Sequence, residues 1–205
     1  IETALASGER ETGVTLMRVV PRMDAGPMVD AERVLIAGED TGPTLRGKIG
    51  LSCVPLIERN LDSLLAGRSV EKPQDETQVT YCRKLTKADG LMDFRVPAQL
   101  LVHRIQAFRS WPGVSFPFGE LRIRVGKSSV GDLALLPGEV ACDREGNFSI
   151  GTGQGALVVH ELQKPGGKTL PARDFLRGFA IPDGTILESE PMPDLLVCGK
   201  SNSKA

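Results

Sequence analysis

The chain has 205 residues, of which 40% are hydrophobic and 25% are charged, so it is long enough for one large hydrophobic core or two modest ones. Its formal net charge of -1 excludes a protein that binds nucleic acid or anionic membranes through its overall charge. The four cysteines lie far apart without a C-x-x-C pair, which argues against a zinc knuckle, and no apolar run reaches the roughly 18 residues that span a bilayer. We therefore expect a soluble, cytoplasmic protein with reduced thiols.

The first third of the chain predicts a helix, two strands and a second helix. Ile1 opens a helical stretch without a capping residue before it, so we expect further residues upstream of it. Apolar, β-branched Val14–Val20 predicts a buried strand, and Met28–Ile36 predicts a second strand whose polar residues favour an edge position. Asp40 and Thr41 are good cap residues, and the apolar residues that follow at every fourth position predict a helix of about six turns.

The remainder of the chain predicts a linker followed by a β-rich region. Residues 67–87 are polar and lack an apolar period, which is typical of a linker, whereas 97–108 and 171–177 have the patterns of helices. Between these helices, short strands are expected at 121–125, 137–142, 148–152 and 156–163. Strands at this spacing favour a small barrel or sandwich.

Asp24 lies in a Gly-Pro turn between the first two predicted strands. Asp is common in turns because its short side chain accepts hydrogen bonds from nearby backbone N–H groups. A carboxylate fixed at a strand end can equally serve as a catalytic group. Local sequence alone leaves both interpretations open.

Several stretches in order resemble the methionyl-tRNA formyltransferase family. They are ETGVTLM with MDAGPMV, PQDETQVTYCRKLTKADGLMDF, IQAFRSWPG, LLPGEV and LQKPGGKTLPARDFLRG. Each is short, but together they extend over nearly the whole chain apart from its tail. The resemblance implies an α/β plus β architecture. It consists of the C-terminal part of a Rossmann-like formyltransferase domain (1–66), a linker (67–87), an OB-like β-barrel domain (88–190) and a tail (191–205).

The resemblance also implies an activity, the transfer of the formyl group of 10-formyltetrahydrofolate to the amino group of methionyl initiator tRNA. The family's catalytic Asp lies in its D-x-G-P loop, which makes Asp24 the catalytic residue here. Backbone around Val20, Arg22 and Met23 is then expected to form one wall of the folate pocket. The family uses no metal, and the complete enzyme is expected to be a monomer. Its catalytic Asn and His would precede Ile1, so we expect this chain alone to be inactive.

Other polar and aromatic residues invite functional hypotheses. Lys84, Lys87, Arg122 and Arg124 are candidate contacts for tRNA phosphates, and strand alternation predicts that Arg122 and Arg124 share one face. Trp111 is either a stacking surface for a base or a packing residue. His103 and His160 are expected to be structural, since neither stands in a matching motif.

Two alternatives to this function stay open. One is another formyltransferase, or a formyl-folate hydrolase, that acts on a different amine or on water. The other is a noncatalytic RNA-binding fragment. A tRNA gel shift and a folate-binding assay would separate them.

Overall fold

A computed structural model describes residues 1–143 and 146–197 of the chain. The first part contains two helices and a hairpin, and the two strands pair antiparallel as a separate sheet. These elements are α1 (Glu2–Ala6), β1 (Glu11–Met17), β2 (Met28–Leu35) and α2 (Gly42–Leu65). The first strand ends at Met17 and not at Val20 as predicted, so the residues before Asp24 belong to the loop between the strands.

The helix α2 begins at the predicted cap. Thr41 accepts a hydrogen bond from the Thr44 backbone N–H, and the Thr44 hydroxyl accepts one from the Thr41 N–H. The apolar row at every fourth position starts on the buried face at Leu45 but reaches solvent at Leu65, which is 79% exposed. Four residues turn a helix by more than one full turn, so such a row drifts round the axis. Leu56, outside the row, continues the buried face.

The segment predicted as a linker contains only short elements. They are two 3-10 helices, Glu76–Gln78 and Lys87–Gly90, and the strand β3 (Tyr81–Cys82). The segment is held by contacts with distant parts of the chain, because β3 pairs antiparallel with β10 (Leu196–Val197). Cys198 lies outside the described residues.

Residues 98–143 and 146–178 form one antiparallel sheet and two helices. One helix precedes the strands of this sheet in the sequence, and the other follows them. The strands lie in the order β4-β5-β8-β7-β6, with β9 also paired to β8. Within the described residues, the edge strands β4 and β6 do not pair with each other. The elements are α3 (Ala98–Ala107), β4 (Val114–Phe118), β5 (Leu121–Gly131), β6 (Val140–Cys142), β7 (Phe148–Gly151), β8 (Ala156–Gln163), β9 (Leu170–Pro171) and α4 (Ala172–Gly178).

The strand β4 was not predicted from the sequence. Pro117 lies within it, and proline is unsuited to a central strand because it has no N–H to donate. The structure resolves the conflict, since β4 is an edge strand of the sheet and Pro117 lies opposite Arg122 of its one partner. Proline is tolerated at such an edge.

One hydrophobic core extends through both parts of the chain. Leu5 and Leu45 from the first part are buried in the same cluster as Ile105 of α3 and Ile123 of β5, and α1 packs against α3. Leu195, in the predicted tail, is also buried in this cluster. The domain boundaries at 66, 87 and 190 remain predictions. Within the described ranges, no helix is long and apolar enough to cross a membrane.

Candidate active site

The loop between β1 and β2 places Asp24 at the surface. The two ends of the loop are joined by a hydrogen bond of 3.0 Å from the Arg18 N–H to the Pro27 carbonyl. Gly26 is buried so close to Arg18 that an added Cβ would lie 1.7 Å from the Arg18 carbonyl oxygen. Only glycine therefore fits this position. Asp24 itself is exposed and has a φ of 54°, a left-handed conformation that Asp tolerates better than most residues.

Residues 71–74 bind along this loop. Lys72 and Met28 exchange two backbone hydrogen bonds, of 2.7 and 2.8 Å, and the Arg18 Nε donates to Glu71 at 2.7 Å. The ion pair with Arg18 holds the pKa of Glu71 below its ordinary value. The Gln74 side chain then donates to the backbone carbonyls of Asp24 and Gly26, at 2.9 and 2.7 Å. We call residues 71–74 the clasp.

The loop and the segment after the clasp enclose a cleft of about 810 Å³. Residues 22–25 and 27–28 line one side of it, and residues 73–76 and 78–82 line the other. Of the predicted site residues, Arg22, Met23 and Asp24 line the cleft together, whereas Val20 is half-buried and does not line it. The structure thus brings three of the four predicted residues to one surface.

The carboxylates in the cleft differ in their partners. Asp75 Oδ1 accepts from the hydroxyl and the N–H of Thr77 at 2.6 and 3.0 Å, and Oδ2 accepts from Gln78 at 2.6 Å; these bonds lower the pKa of Asp75. Glu76 forms an ion pair of 2.8 Å with Arg22. Within residues 1–143 and 146–197, the Asp24 carboxylate has no hydrogen bond or ion pair. Of the cleft carboxylates, it alone is free there to accept a proton or orient a water.

The two histidines lie elsewhere. His103 of α3 is hydrogen-bonded to Gln99 at 2.7 Å, and burial lowers its pKa. His160 of β8 is 2.8 Å from the Ser129 hydroxyl, and burial, followed by the nearby Lys127 charge, lowers its pKa. Neither lines the cleft. In the part of the chain that the structure describes, no group of three or more His, Cys, Asp or Glu side chains could hold a metal ion.

The four basic residues predicted to contact tRNA fall into two classes. Lys84 and Lys87 are exposed and form no ion pair among the described residues. Arg122 binds both carboxylate oxygens of Glu190, at 3.0 and 2.6 Å. Arg124 donates to the backbone carbonyls of Arg109 and Ser110. The two arginines flank buried Ile123 on β5, as strand alternation predicts.

Trp111 lies in the loop that Arg124 holds. Its side chain is 51% exposed and lines a second cleft, of about 530 Å³, with Arg46 and Leu85. Half of the residue is thus covered by neighbouring residues, and the packing interpretation of Trp111 stays a prediction. A stacking role remains a prediction.

Known proteins match both the sequence and the fold of this chain. Residues 84–180 match the family described as formyl transferase, C-terminal domain. A methionyl-tRNA formyltransferase from Methylococcus capsulatus is 38% identical over 185 residues, which cover 88% of this chain and 59% of the relative. The chain therefore contains a domain of the formyl transferase family, at residues 84–180. It spans about three fifths of the length of this formyl transferase relative.

Two solved structures share the fold. HypX from Aquifex aeolicus, in complex with tetrahydrofolic acid, superposes with a TM-score of 0.63 at 22% identity, over 85% of this chain and 31% of HypX. An N-formyltransferase from Helicobacter canadensis, in complex with folinic acid and dTDP-3-aminofucose, gives a TM-score of 0.62 at 18% identity, over 79% of this chain and 59% of that protein. At these identities the likeness concerns the fold alone.

Sequence reasoning missed the residues that hold the loop. Gln74 and Glu71 act on groups about fifty positions away, and no local pattern reports such a contact. For Gln74 there is an indirect indication in the sequence, because PQDE (residues 73–76) belongs to one of the stretches that resemble the family.

Proposed function

We propose that this chain is the C-terminal part of a methionyl-tRNA formyltransferase, which transfers the formyl group of 10-formyltetrahydrofolate to the amino group of methionyl initiator tRNA. The observation that carries the proposal is the free Asp24 carboxylate on a backbone-fixed loop at the cleft. The name and 38% identity of the Methylococcus relative support the choice of reaction.

Formyl transfer to an amine makes three chemical demands. The amine must lose a proton as it attacks, the tetrahedral oxyanion must be stabilised by a donor, and the folate nitrogen must leave with a proton. Asp24 meets the first demand, because a partner-free carboxylate can accept the amine proton directly or orient a water that does so. The oxyanion donor and the group that protonates the folate nitrogen are expected from residues that correspond to the part of the relative that this chain does not cover. This chain alone should therefore lack transfer activity.

The folate co-substrate would lie in the cleft beside Asp24. Its volume of about 810 Å³ is in the range of small-molecule sites. Arg22 and Met23 line it, and the backbone near Val20 would complete the same wall. The solved HypX complex with tetrahydrofolic acid, which shares the fold, is compatible with a folate site in this architecture.

We also propose the finer architecture that the family suggests. Residues 1–66 would be the C-terminal part of a Rossmann-like catalytic domain, and residues 88–190 an OB-like domain joined to it by the linker. Support comes from the separate β1–β2 sheet and the antiparallel sheet of β4–β9. The complete enzyme would be a monomer.

A chimera tests the proposed function. The portion of the Methylococcus relative that this chain does not cover is joined to it, and formylation of methionyl-tRNA is measured. Asp24→Asn keeps the size of the side chain but removes the base, and should lower turnover by about a hundredfold or more. Glu76→Gln is the matched control, since Glu76 lies in the same cleft but is paired with Arg22; it should retain turnover within a few-fold.

The controls of this experiment separate the alternatives. Near wild-type turnover in Asp24→Asn would show that Asp24 serves only to form the turn. A chimera that formylates a nucleotide-linked amino sugar but not methionyl-tRNA would contradict the substrate. Activity of the unfused chain would contradict the expectation that further groups are needed.

A further inference from the structure

We propose that Gln74 is a positioning residue that fixes the Asp24 loop in its active conformation. The inference rests on the proposed catalytic role of Asp24 and adds to it a residue from the other side of the cleft. Gln74 lies fifty positions from Asp24 in the chain. It makes no contact with the Asp24 carboxylate, so it would act through the loop backbone.

The hydrogen bonds of Gln74 to the loop use both hydrogens of its amide nitrogen. Nε2 donates to the carbonyls of Asp24 at 2.9 Å and Gly26 at 2.7 Å, and a primary amide nitrogen carries two hydrogens. Both partners are carbonyl oxygens, which only accept, so the nitrogen and not the oxygen must face them. The same nitrogen lies 3.9 Å from the Met17 sulfur. The side chain is half-buried, and of the two bonds the one to Gly26 is partly buried while the one to Asp24 is exposed.

The first of these carbonyls belongs to the peptide unit directly after the Asp24 Cα, and the second lies two units further along the loop. Asp24 has a φ of 54°, a left-handed conformation that persists in a non-glycine residue only where its surroundings hold it. Met23, next to it, is 87% exposed and adds little packing. The backbone contacts of Gln74 are thus a direct restraint on the part of the loop that carries the carboxylate, beside the Arg22–Glu76 ion pair two residues before it.

The rest of the clasp delivers Gln74 to this position. The paired backbone bonds of Lys72 and Met28 fix the chain two residues earlier, and the Arg18–Glu71 pair fixes it three residues earlier. Another glutamine provides a control. Gln106 of α3 does not line the cleft, and its Nε2 also donates to a backbone carbonyl, that of Gly38, at 2.6 Å.

The first experiment uses the chimera described above. Gln74→Met keeps the length of the side chain and removes both donors. It should lower kcat about ten- to hundredfold, as expected for a small displacement of a catalytic group, with KM for methionyl-tRNA changed by less than about threefold. Gln74→Glu, which has the shape of glutamine but presents acceptors to the two carbonyls, should be at least as slow. Gln106→Met, at a glutamine outside the cleft, should retain kcat.

A double variant distinguishes positioning from general damage. If Gln74 acts through Asp24, then Gln74→Met in the Asp24→Asn background should lower kcat by less than about twofold further. A multiplied loss would show that Gln74 acts independently of Asp24 and would overturn the inference. Full turnover in Gln74→Met beside an inactive Asp24→Asn would also overturn it, while leaving the proposed function intact. Full turnover in Asp24→Asn would overturn both.

The second experiment needs no activity and uses the chain of 205 residues. Trypsin cleaves after Arg22, two residues before Asp24, and local opening of the loop speeds this cleavage. Loss of two hydrogen bonds should make cleavage at Arg22–Met23 about tenfold faster in Gln74→Met, with no change in Gln106→Met. Equal cleavage rates in all three proteins would show that Gln74 does not restrain the loop.

Discussion

Arg83 binds the buried carboxylate of Asp89 through both terminal nitrogens, with Nη1 at 2.9 Å from Oδ2 and Nη2 at 2.5 Å from Oδ1. Asp89 is fully buried and also accepts from the Thr86 N–H at 2.6 Å. Arg83 Nε donates in addition to the Asp194 carbonyl at 2.8 Å. The pair therefore joins the linker to the segment before β10.

Removal of this carboxylate should destabilise the fold. In Asp89→Ala, Arg83 loses its charge partner and the Thr86 N–H loses its acceptor, so the free energy of unfolding should fall by about 3 kcal/mol. Asp174→Ala is the control, because its pair with Arg177 is 3.3 Å long and exposed on both sides; it should cost less than about 1 kcal/mol. Urea unfolding followed by circular dichroism measures both. Equal losses of unfolding free energy in the two variants would show that the Arg83–Asp89 pair stabilises the fold no more than an exposed ion pair does.

The same pair predicts a dependence of stability on pH. The hydrogen bonds and charge of Arg83 hold the pKa of Asp89 below its ordinary value, so the folded state binds the proton less readily than the unfolded state. This stabilisation is present above the unfolded pKa of about 3.9 and is lost as the pH falls through the lower folded pKa. The difference in unfolding free energy between wild type and Asp89→Asn should therefore shrink as the pH falls from about 5 to 3. A difference in unfolding free energy that does not change with pH would contradict a lowered pKa of Asp89 in the folded state.

Much of the β-rich part could be predicted from local sequence. The helix α3 and the strands β5, β7 and β8 follow apolar patterns that their own residues carry. The pairing of β3 with β10 could not be predicted, because each strand has two residues and its partner lies at the far end of the chain. Edge strand β4 was missed because its proline is unfavourable everywhere except at an edge.

The candidate site was predictable only where a motif marks it. Asp24 opens the D-x-G-P stretch, Arg22 and Met23 directly precede it, and all three line one cleft. The opposite wall comes from the segment predicted as a linker, whose polar composition suggests solvent. Hydrogen bonds connect this segment to groups about fifty positions away in the chain. Such contacts produce no periodic pattern in the sequence.

The first part of the chain should be the less stable part, as its exposed apolar surface indicates. On α2, Leu51 is 76% and Val54 is 54% exposed, and the β1–β2 sheet has only two strands, which are marginal alone. Backbone amides of β1, β2 and the second half of α2 should exchange hydrogen faster than those of β5 and β8. Uniform protection in a monomer would contradict this prediction.

Substitutions on the two faces of α2 should differ sharply. Leu51→Glu places a charge on an exposed position, so it should reduce self-association and change the free energy of unfolding by less than about 0.5 kcal/mol. Leu45→Ala, at a fully buried position of the same helix, should cost about 3 kcal/mol. Sedimentation and urea unfolding measure the two effects. A large loss in Leu51→Glu would show that this face is covered.

The basic residues differ in how freely they can reach a tRNA phosphate. Arg122 would have to leave Glu190, and Arg124 would have to leave the carbonyls that hold the Trp111 loop. Lys84 and Lys87 are exposed and have no ion pair to break within the described residues. The lysines should therefore contribute more to tRNA binding than the arginines, although each pair carries the same charge.

The salt dependence of tRNA binding measures this difference. The slope of log affinity against log salt falls by roughly one for each phosphate contact that is lost. In the chimera, Lys84→Gln with Lys87→Gln should lower the slope by about two, whereas Arg122→Gln with Arg124→Gln should lower it by less than about one. Because each double variant removes two charges, equal changes would mean that only net charge matters. Unchanged slopes in both would leave these residues without a role in binding tRNA.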